Sequence, residues 1–275
     1  MRKILFITFF ILTYQVSHSQ GSLEIDSLTN NDSIVNATSK LGSRNIVISK
    51  SLADSAYIRN DFTTAIQIYE MILRTGESAD IYYNLGNSYY KIGDIAKAIL
   101  NYERALILKP ANKDIRSNLE IARAKTVDKV TDVPELFFIT WLKSITNSMG
   151  IQSWAIIAIS FFLLFIVSIY FFFFSTKIVA RKTFFILALF FLVFCVIANI
   201  SAAFQRRVRL NRMNAIIISP SVTIRSTPND NGTSLFILHE GRKVFIKDDS
   251  MKDWKEIQLE DGNVGWVKKN DLEVI

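Results

Sequence analysis

ADIYYNLGNSYYKIGDIAKAILNYERALILKPAN, residues 79–112, is the stretch that decides the architecture of the N-terminal half of this chain. Tyr82, Leu85, Gly86 and Tyr89 recur at helical spacing, and so do Ala98, Tyr102 and Ala105 after Gly93, so the stretch describes two helices ending at Pro110. Small residues stand where two helices touch, and aromatics fill the gaps between them. One unit upstream, Leu52, Ala53, Ala56, Asn60, Asp61, Phe62, Ala65 and Tyr69 repeat the pattern, Ala65 preceding Ala98 and Tyr69 preceding Tyr102 by 33 residues. Downstream, Asn112–Lys125 reads as one more helix, with Leu119 and Ala122 on an apolar face and charges opposite, as a solvating end cap requires.

The clear unit resembles the 34-residue tetratricopeptide repeat, and the fold class expected for residues 45–130 is a short all-α array of about five helices. Its clear unit and cap bury one another, which predicts that it folds alone. Stacked units of this kind leave a concave groove lined by the first helix of each, which binds an extended peptide or a partner's helix. The groove-facing positions are Asp80, Tyr83, Asn84, Asn87, Tyr90 and Lys91, and Asn84 recurs one period later as Asn118. Tyr83, Asn84, Asn87, Tyr90, Lys91 and Asn118 are therefore the candidate protein-binding residues. In related repeats an asparagine here can hold a ligand's backbone with its amide; a solvated or capping asparagine is the alternative.

The formal charge of +7 suggests nucleic acid until it is located along the chain. Residues 21–140 net −1 and residues 213–275 net −2, so the excess lies in Arg2, Lys3, Lys143, Lys177, Arg181, Lys182, Arg206, Arg207, Arg209 and Arg212. All of these flank apolar segments, a pattern for phospholipid headgroups and against nucleic acid. Met1-Arg2-Lys3, the apolar Ile4–Leu12 and Ser17-His18-Ser19-Gln20 have the three-part layout of a signal peptide, 1–19, with an uncleaved anchor as the alternative. Residues 20–44, rich in Ser, Asn and Thr, read as a disordered lead-in. Residues 151–174 and 183–204 form two expected transmembrane helices, joined by a link at 175–182, and residues 135–150 an interfacial segment, with Trp141 and Trp154 flanking the entry to the first span as aromatic anchors. Lys177, Arg181 and Lys182 place the link in the cytoplasm, whereas Arg206–Arg212 argue the reverse. The signal decides for an inner-membrane protein with both soluble domains in the bacterial periplasm.

From residue 213 onward the periodicity alternates. Short apolar runs at 216–218, 222–224, 235–238, 244–246, 254–259 and 265–267 are separated by Pro228–Gly232, His239-Glu240-Gly241 and Asp261-Gly262, which predicts a small all-β barrel over 213–275. Ile224–Pro228, Leu238–Gly241, Trp254 and Gly262–Val267 resemble bacterial SH3-like domains, which bind cell-wall peptides or proteins. Trp254 and Trp266 are the candidate ligand-stacking residues there.

One Cys and two His leave no metal cluster to assemble from the soluble parts, and the chain carries no phosphate loop, nucleophile elbow or His-Glu-x-x-His motif. No catalytic residue, metal or cofactor is expected. Residues 80–91, 101–106 and 118–124, in an order of leader, array, interfacial segment, two spans and β-domain, resemble the E-type proteins of the Bat aerotolerance family. That resemblance implies a scaffold in oxidative-stress tolerance, working beside von Willebrand A-type membrane proteins and a MoxR-type ATPase. The alternative function is wall binding or wall sensing, with peptidoglycan as the ligand of the SH3-like domain.

Overall fold

The computed structural model describes residues 49–128, 137–210 and 213–275. The expected signal peptide at 1–19 and lead-in at 20–44 lie outside the described residues, as does the start of the interfacial segment.

Five helices build the N-terminal part: α1 (Lys50–Ile58), α2 (Phe62–Leu73), α3 (Ala79–Ile92), α4 (Ile95–Leu108) and α5 (Lys113–Arg123). The α1–α2 and α3–α4 corners are made alike. Asn60 (φ 63°) and Gly93 (φ 88°) take the left-handed conformation that Gly, and more rarely Asn, accepts. The aspartate after each caps the next helix, Asp61 accepting the Thr64 N–H and Asp94 the Lys97 N–H. Ala53, Ala56, Ala65, Ala98, Ala105 and Ala122 are fully buried at the helix contacts, with Tyr69 and Tyr102 filling the space between. Gly86 is one of these contacts: a Cβ there would lie 2.7 Å from the Tyr102 ring.

After α6 (Phe137–Thr146) come two long apolar helices, α7 (Ile151–Phe174) and α8 (Ile178–Leu210). Their mean hydropathies reach 2.8 and 2.7, and only 11% and 17% of those windows are buried within the molecule, which is the opposite of a soluble core helix. Each is long and apolar enough to cross a bilayer, α7 spanning about 36 Å at 1.5 Å per residue. Their contact combines small buried residues, Ala158, Ser168, Ala188, Cys195, Ala198 and Ser201, with phenylalanine pairs such as Phe171–Phe184 and Phe161–Phe194, whose ring centres lie 5.0 and 5.4 Å apart. Trp154, expected as an interfacial anchor, is instead buried beside Ala158 and Ala198, its indole N–H donating to the Thr146 carbonyl at 2.9 Å. Gln205 donates to Thr146 O at 2.5 Å and Met149 O at 2.7 Å, tying the α6–α7 corner to the far end of α8.

The C-terminal part is a seven-stranded antiparallel sheet: β1 (Asn214–Ile217), β2 (Ser221–Arg225), β3 (Ser234–His239), β4 (Lys243–Asp248), β5 (Trp254–Gln258), β6 (Val264–Lys268) and β7 (Leu272–Val274). The strand order is β3-β2-β6-β5-β4-β1-β7. Alternating residues of every strand form a single core, from Ala215 and Ile217 through Ile224, Ile246, Ile257 and Val267 to Leu272. β1 serves two cores at once. Ala215 and Ile217 face the sheet interior, whereas Ile216 between them, with Ile275, joins the core of the helical array.

Candidate functional site

The first helix of each unit, α1, α3 and then α5, lines one side of the array. Along it runs a polar ladder repeated at the period of the fold. In the first rung the Tyr69 hydroxyl, from α2, donates to Asp54 Oδ1 at 2.5 Å, and the same oxygen accepts Asn84 Nδ2 at 3.2 Å. In the second rung the Tyr102 hydroxyl, from α4, donates to Asn87 Oδ1 at 2.8 Å, and that oxygen accepts Asn118 Nδ2 at 2.9 Å. Tyr69 and Tyr102, Asp54 and Asn87, and Asn84 and Asn118 are thus equivalent, 33 or 34 residues apart. Each rung links three helices, so the amides fix one unit against the next.

Burial, and then the Asp54 hydrogen bond, pushes the Tyr69 phenol well above its ordinary range; burial, and then neighbouring Tyr83, does the same for Tyr102. Both hydroxyls therefore stay protonated donors, which keeps the direction of the ladder constant. Tyr57, raised by burial and by Tyr83, lies at the edge of the same surface with its ring 5.3 Å from Phe62.

The six expected groove residues fall on this surface to different degrees. Tyr83, Asn84, Asn87 and Asn118 are half-buried and joined through the ladder: Asn118 Nδ2 also donates to the Tyr83 hydroxyl at 3.0 Å, and the Tyr83 and Tyr102 rings are 6.0 Å apart. Tyr90 is half-buried, with Lys125 Nζ 4.1 Å from its ring centre. Lys91 is exposed at the end of α3. Asp80, the acid of the first turn of α3, pairs with Lys109 at 2.9 Å on an exposed edge. The residues that sequence reasoning missed are Asp54, Tyr69 and Tyr102 as ladder members, and Lys125. A signal for the first three was present, because Asp54 precedes Asn87 by the 33 residues that separate Tyr69 from Tyr102.

Residues 79–112 match the tetratricopeptide repeat model. The match covers helices α3 and α4, the second tetratricopeptide unit of the array, and α1–α2 repeats its corner and its ladder. Such a repeat is a protein–protein interaction motif without catalytic groups of its own. A search of curated proteins finds no match to the chain.

On the sheet, Trp254 of β5 pairs with Lys268 and Trp266 of β6 pairs with Glu256, so the two indoles stand diagonally on the outward face of adjacent strands. Both are half-buried, and Lys268 Nζ lies 5.6 Å from the Trp254 ring centre. Phe245, Leu235 and Ile237 are also exposed, though on other strands. Among the described residues no group of three His, Cys, Asp or Glu side chains is placed to hold a metal ion.

Proposed function

We propose that this chain is a non-enzymatic, membrane-anchored scaffold that holds an extended segment of another envelope protein in its tetratricopeptide groove. The observation that carries this reading is the two-rung ladder. It aligns half-buried amides, with the half-buried Tyr83 phenol beside them, along one surface, and among the described residues the Oδ1 atoms of Asn84 and Asn118 and the Nδ2 of Asn87 are not used by the ladder. An extended peptide offers N–H and C=O groups at a spacing that such amides recognise, and the flanking tyrosines supply apolar area with a polar tip. Helices α7 and α8 anchor the scaffold in the bacterial inner membrane, with both soluble parts in the periplasm and the 175–182 link in the cytoplasm. The single core shared by the seven antiparallel strands supports reading the C-terminal part as an SH3-like barrel. The resemblance to the Bat aerotolerance family supports a place in an oxidative-stress complex with von Willebrand A-type membrane proteins and a MoxR-type ATPase system.

A pulldown from envelope extract with the full chain tests the groove: Asn84→Ala with Asn118→Ala should lose the captured partner while the protein keeps its helical signal. Undiminished capture sinks this reading. Topology is tested by reporter fusions, alkaline phosphatase being active after Ile275 and inactive near Lys177.

A second reading is favoured by the diagonal, outward placement of Trp254 and Trp266, two indoles on adjacent strands suited to stack against peptidoglycan. If Trp254→Ala or Trp266→Ala abolishes binding to purified wall material and the asparagine pair does not affect partner capture, the barrel is the recognition element.

A further inference from the structure

Helix α4 is occupied on both sides. Tyr102 carries a rung of the groove ladder, while the next two residues, Glu103 and Arg104, reach the C-terminal sheet. Glu103 is 6% exposed, and its carboxylate divides between Lys243 Nζ on β4, at 2.8 Å, and the Arg123 guanidinium on α5. Arg104 Nη2 donates to Glu273 Oε1 at 2.9 Å and to the Val274 carbonyl at 2.5 Å, both at β7. Just past α5, Asp128 accepts the His239 backbone N–H at 2.7 Å and contacts its ring Nδ1 at 2.8 Å. The turn between β3 and β4 lies so close that a Cβ on Gly241 would be 2.6 Å from Thr126 Cγ2 and 3.0 Å from Ile99 Cδ1. Ile216 and Ile275, 0% and 1% exposed, complete the apolar contact from the sheet side.

The charges across this contact are ordered. Glu103 of the array meets Lys243 of the sheet, and at the other end the sign reverses, Arg104 meeting Glu273, while Asp128 accepts the His239 backbone N–H between the two parts. Opposed pairs of this kind fix a single register, because sliding the sheet would bring like charges together. A carboxylate buried as deeply as Glu103 is costly unless its oxygens are satisfied, and one of its two cations comes from residues 140 positions away in the chain.

We propose that the convex face of the second repeat unit is a docking site whose occupant is the chain's own C-terminal sheet, so that array and sheet form one body. Two consequences follow. The repeat array does not reach its native stability without the sheet, which supplies part of its core and half of the Glu103 pairing; the expectation that the array folds alone is replaced. The two soluble parts, which precede and follow the apolar hairpin, lie on the same side of any membrane that hairpin crosses, and external partners are left the concave face. This inference is independent of whether the groove binds a peptide, since a groove variant leaves the junction intact.

The test uses the full chain in lipid nanodiscs. In the first arm Cys195→Ala removes the native thiol, and Thr126→Cys with Gly241→Cys places two Cβ atoms about 3.8 Å apart, within disulfide range. Mild oxidation should give a 126–241 disulfide in most chains, identified by peptide mass spectrometry. Because Gly241 has φ +82°, where a side chain is strained, a second arm leaves it untouched. Lys243→Glu sets two carboxylates against one another, and amide exchange over residues 95–108 and 272–275 should quicken roughly tenfold or more while β5 and β6 stay protected. Should β5 and β6 also lose protection, Lys243→Met, which removes the cation without adding a carboxylate, is read in its place. Either the disulfide or the selective rise in exchange supports the docked body. Absence of both, with residues 95–108 exchanging as in the parent, overturns it.

Discussion

The two faces of the second repeat unit, the ladder face that we propose as the concave groove and the sheet-bearing face opposite it, called convex, are both polar, but they differ in charge and in burial. On the concave side Asn87, Asn118, Tyr83 and Tyr102 form neutral hydrogen bonds, with Asn87, Asn118 and Tyr83 half-exposed. On the convex side Glu103 is ionised, buried and shared between Arg123 and Lys243. Neutral amides at a partly wet surface can exchange one partner for another at small net cost, since each bond nets only about 0.5–1.5 kcal/mol. A buried carboxylate cannot, because losing a cation leaves a charge without compensation. The difference separates a surface suited to a transient ligand from one suited to a permanent neighbour, although the two are carried by consecutive residues of a single helix, Tyr102 and Glu103.

The largest effect that could break this distinction is expected from Glu103→Ala. It leaves the partly exposed Arg123 and Lys243 facing each other without the buried carboxylate that joins them, and losing two charge-assisted hydrogen bonds of about 1.5 kcal/mol each should cost about 3 kcal/mol in denaturant unfolding of the full chain in detergent micelles. If it costs no more than Asn87→Ala, the convex face is no more fixed than the concave one. Gly86→Leu comes next. The first added carbon already meets the Tyr102 ring at 2.7 Å, so α3 and α4 must separate, and a loss of about 1–3 kcal/mol or more is expected in thermal melts. A variant melting like its parent would show that the α3–α4 contact yields freely. Asn84→Ala with Asn118→Ala should weaken partner capture by on the order of 1–3 kcal/mol, read by titration of the isolated partner, while lowering stability by less than Glu103→Ala does.

The smallest and most selective test is pH. Burial alone raises the Glu103 carboxyl, but the Lys243 and Arg123 charges outweigh it and hold the group below its ordinary value of 4.5. A group whose folded pKa is depressed contributes stability that is present above the unfolded value and lost as pH falls through the folded one. Stability from this junction should therefore be constant near neutrality and decline progressively as pH falls through 4.5 and below. The concave ladder should be insensitive to the same change where it consists of amides and of phenols held above their ordinary range. Exchange measured residue by residue in acid would show α4 and β7 loosening first; simultaneous loosening of the Asn87–Asn118 rung would merge the two faces into one cooperative unit.

Much of this molecule was legible in residue order. The helix pairs, their corners at Asn60-Asp61 and Gly93-Asp94, the close approach at Gly86 and the shared face of Tyr83, Asn87 and Tyr90 on α3 all follow from local periodicity. So do the two apolar helices and six of the seven strands, because hydrophobic spacing and turn chemistry act over a few residues. The seventh strand, Leu272–Val274, has three residues and a central glutamate, too little alternation to signal itself. Only tertiary structure decided what long-range pairing decides. It assigned the asparagines to a ladder between successive helices, turned Trp154 inward onto the Thr146 carbonyl, gave Ile216 to a different core from its neighbours Ala215 and Ile217, and set Lys243 against Glu103. Charge and hydrophobicity name the side chains that need a partner, but the choice of partner depends on which surfaces the folded chain brings within about 3–4 Å, and no spacing in the sequence encodes that distance.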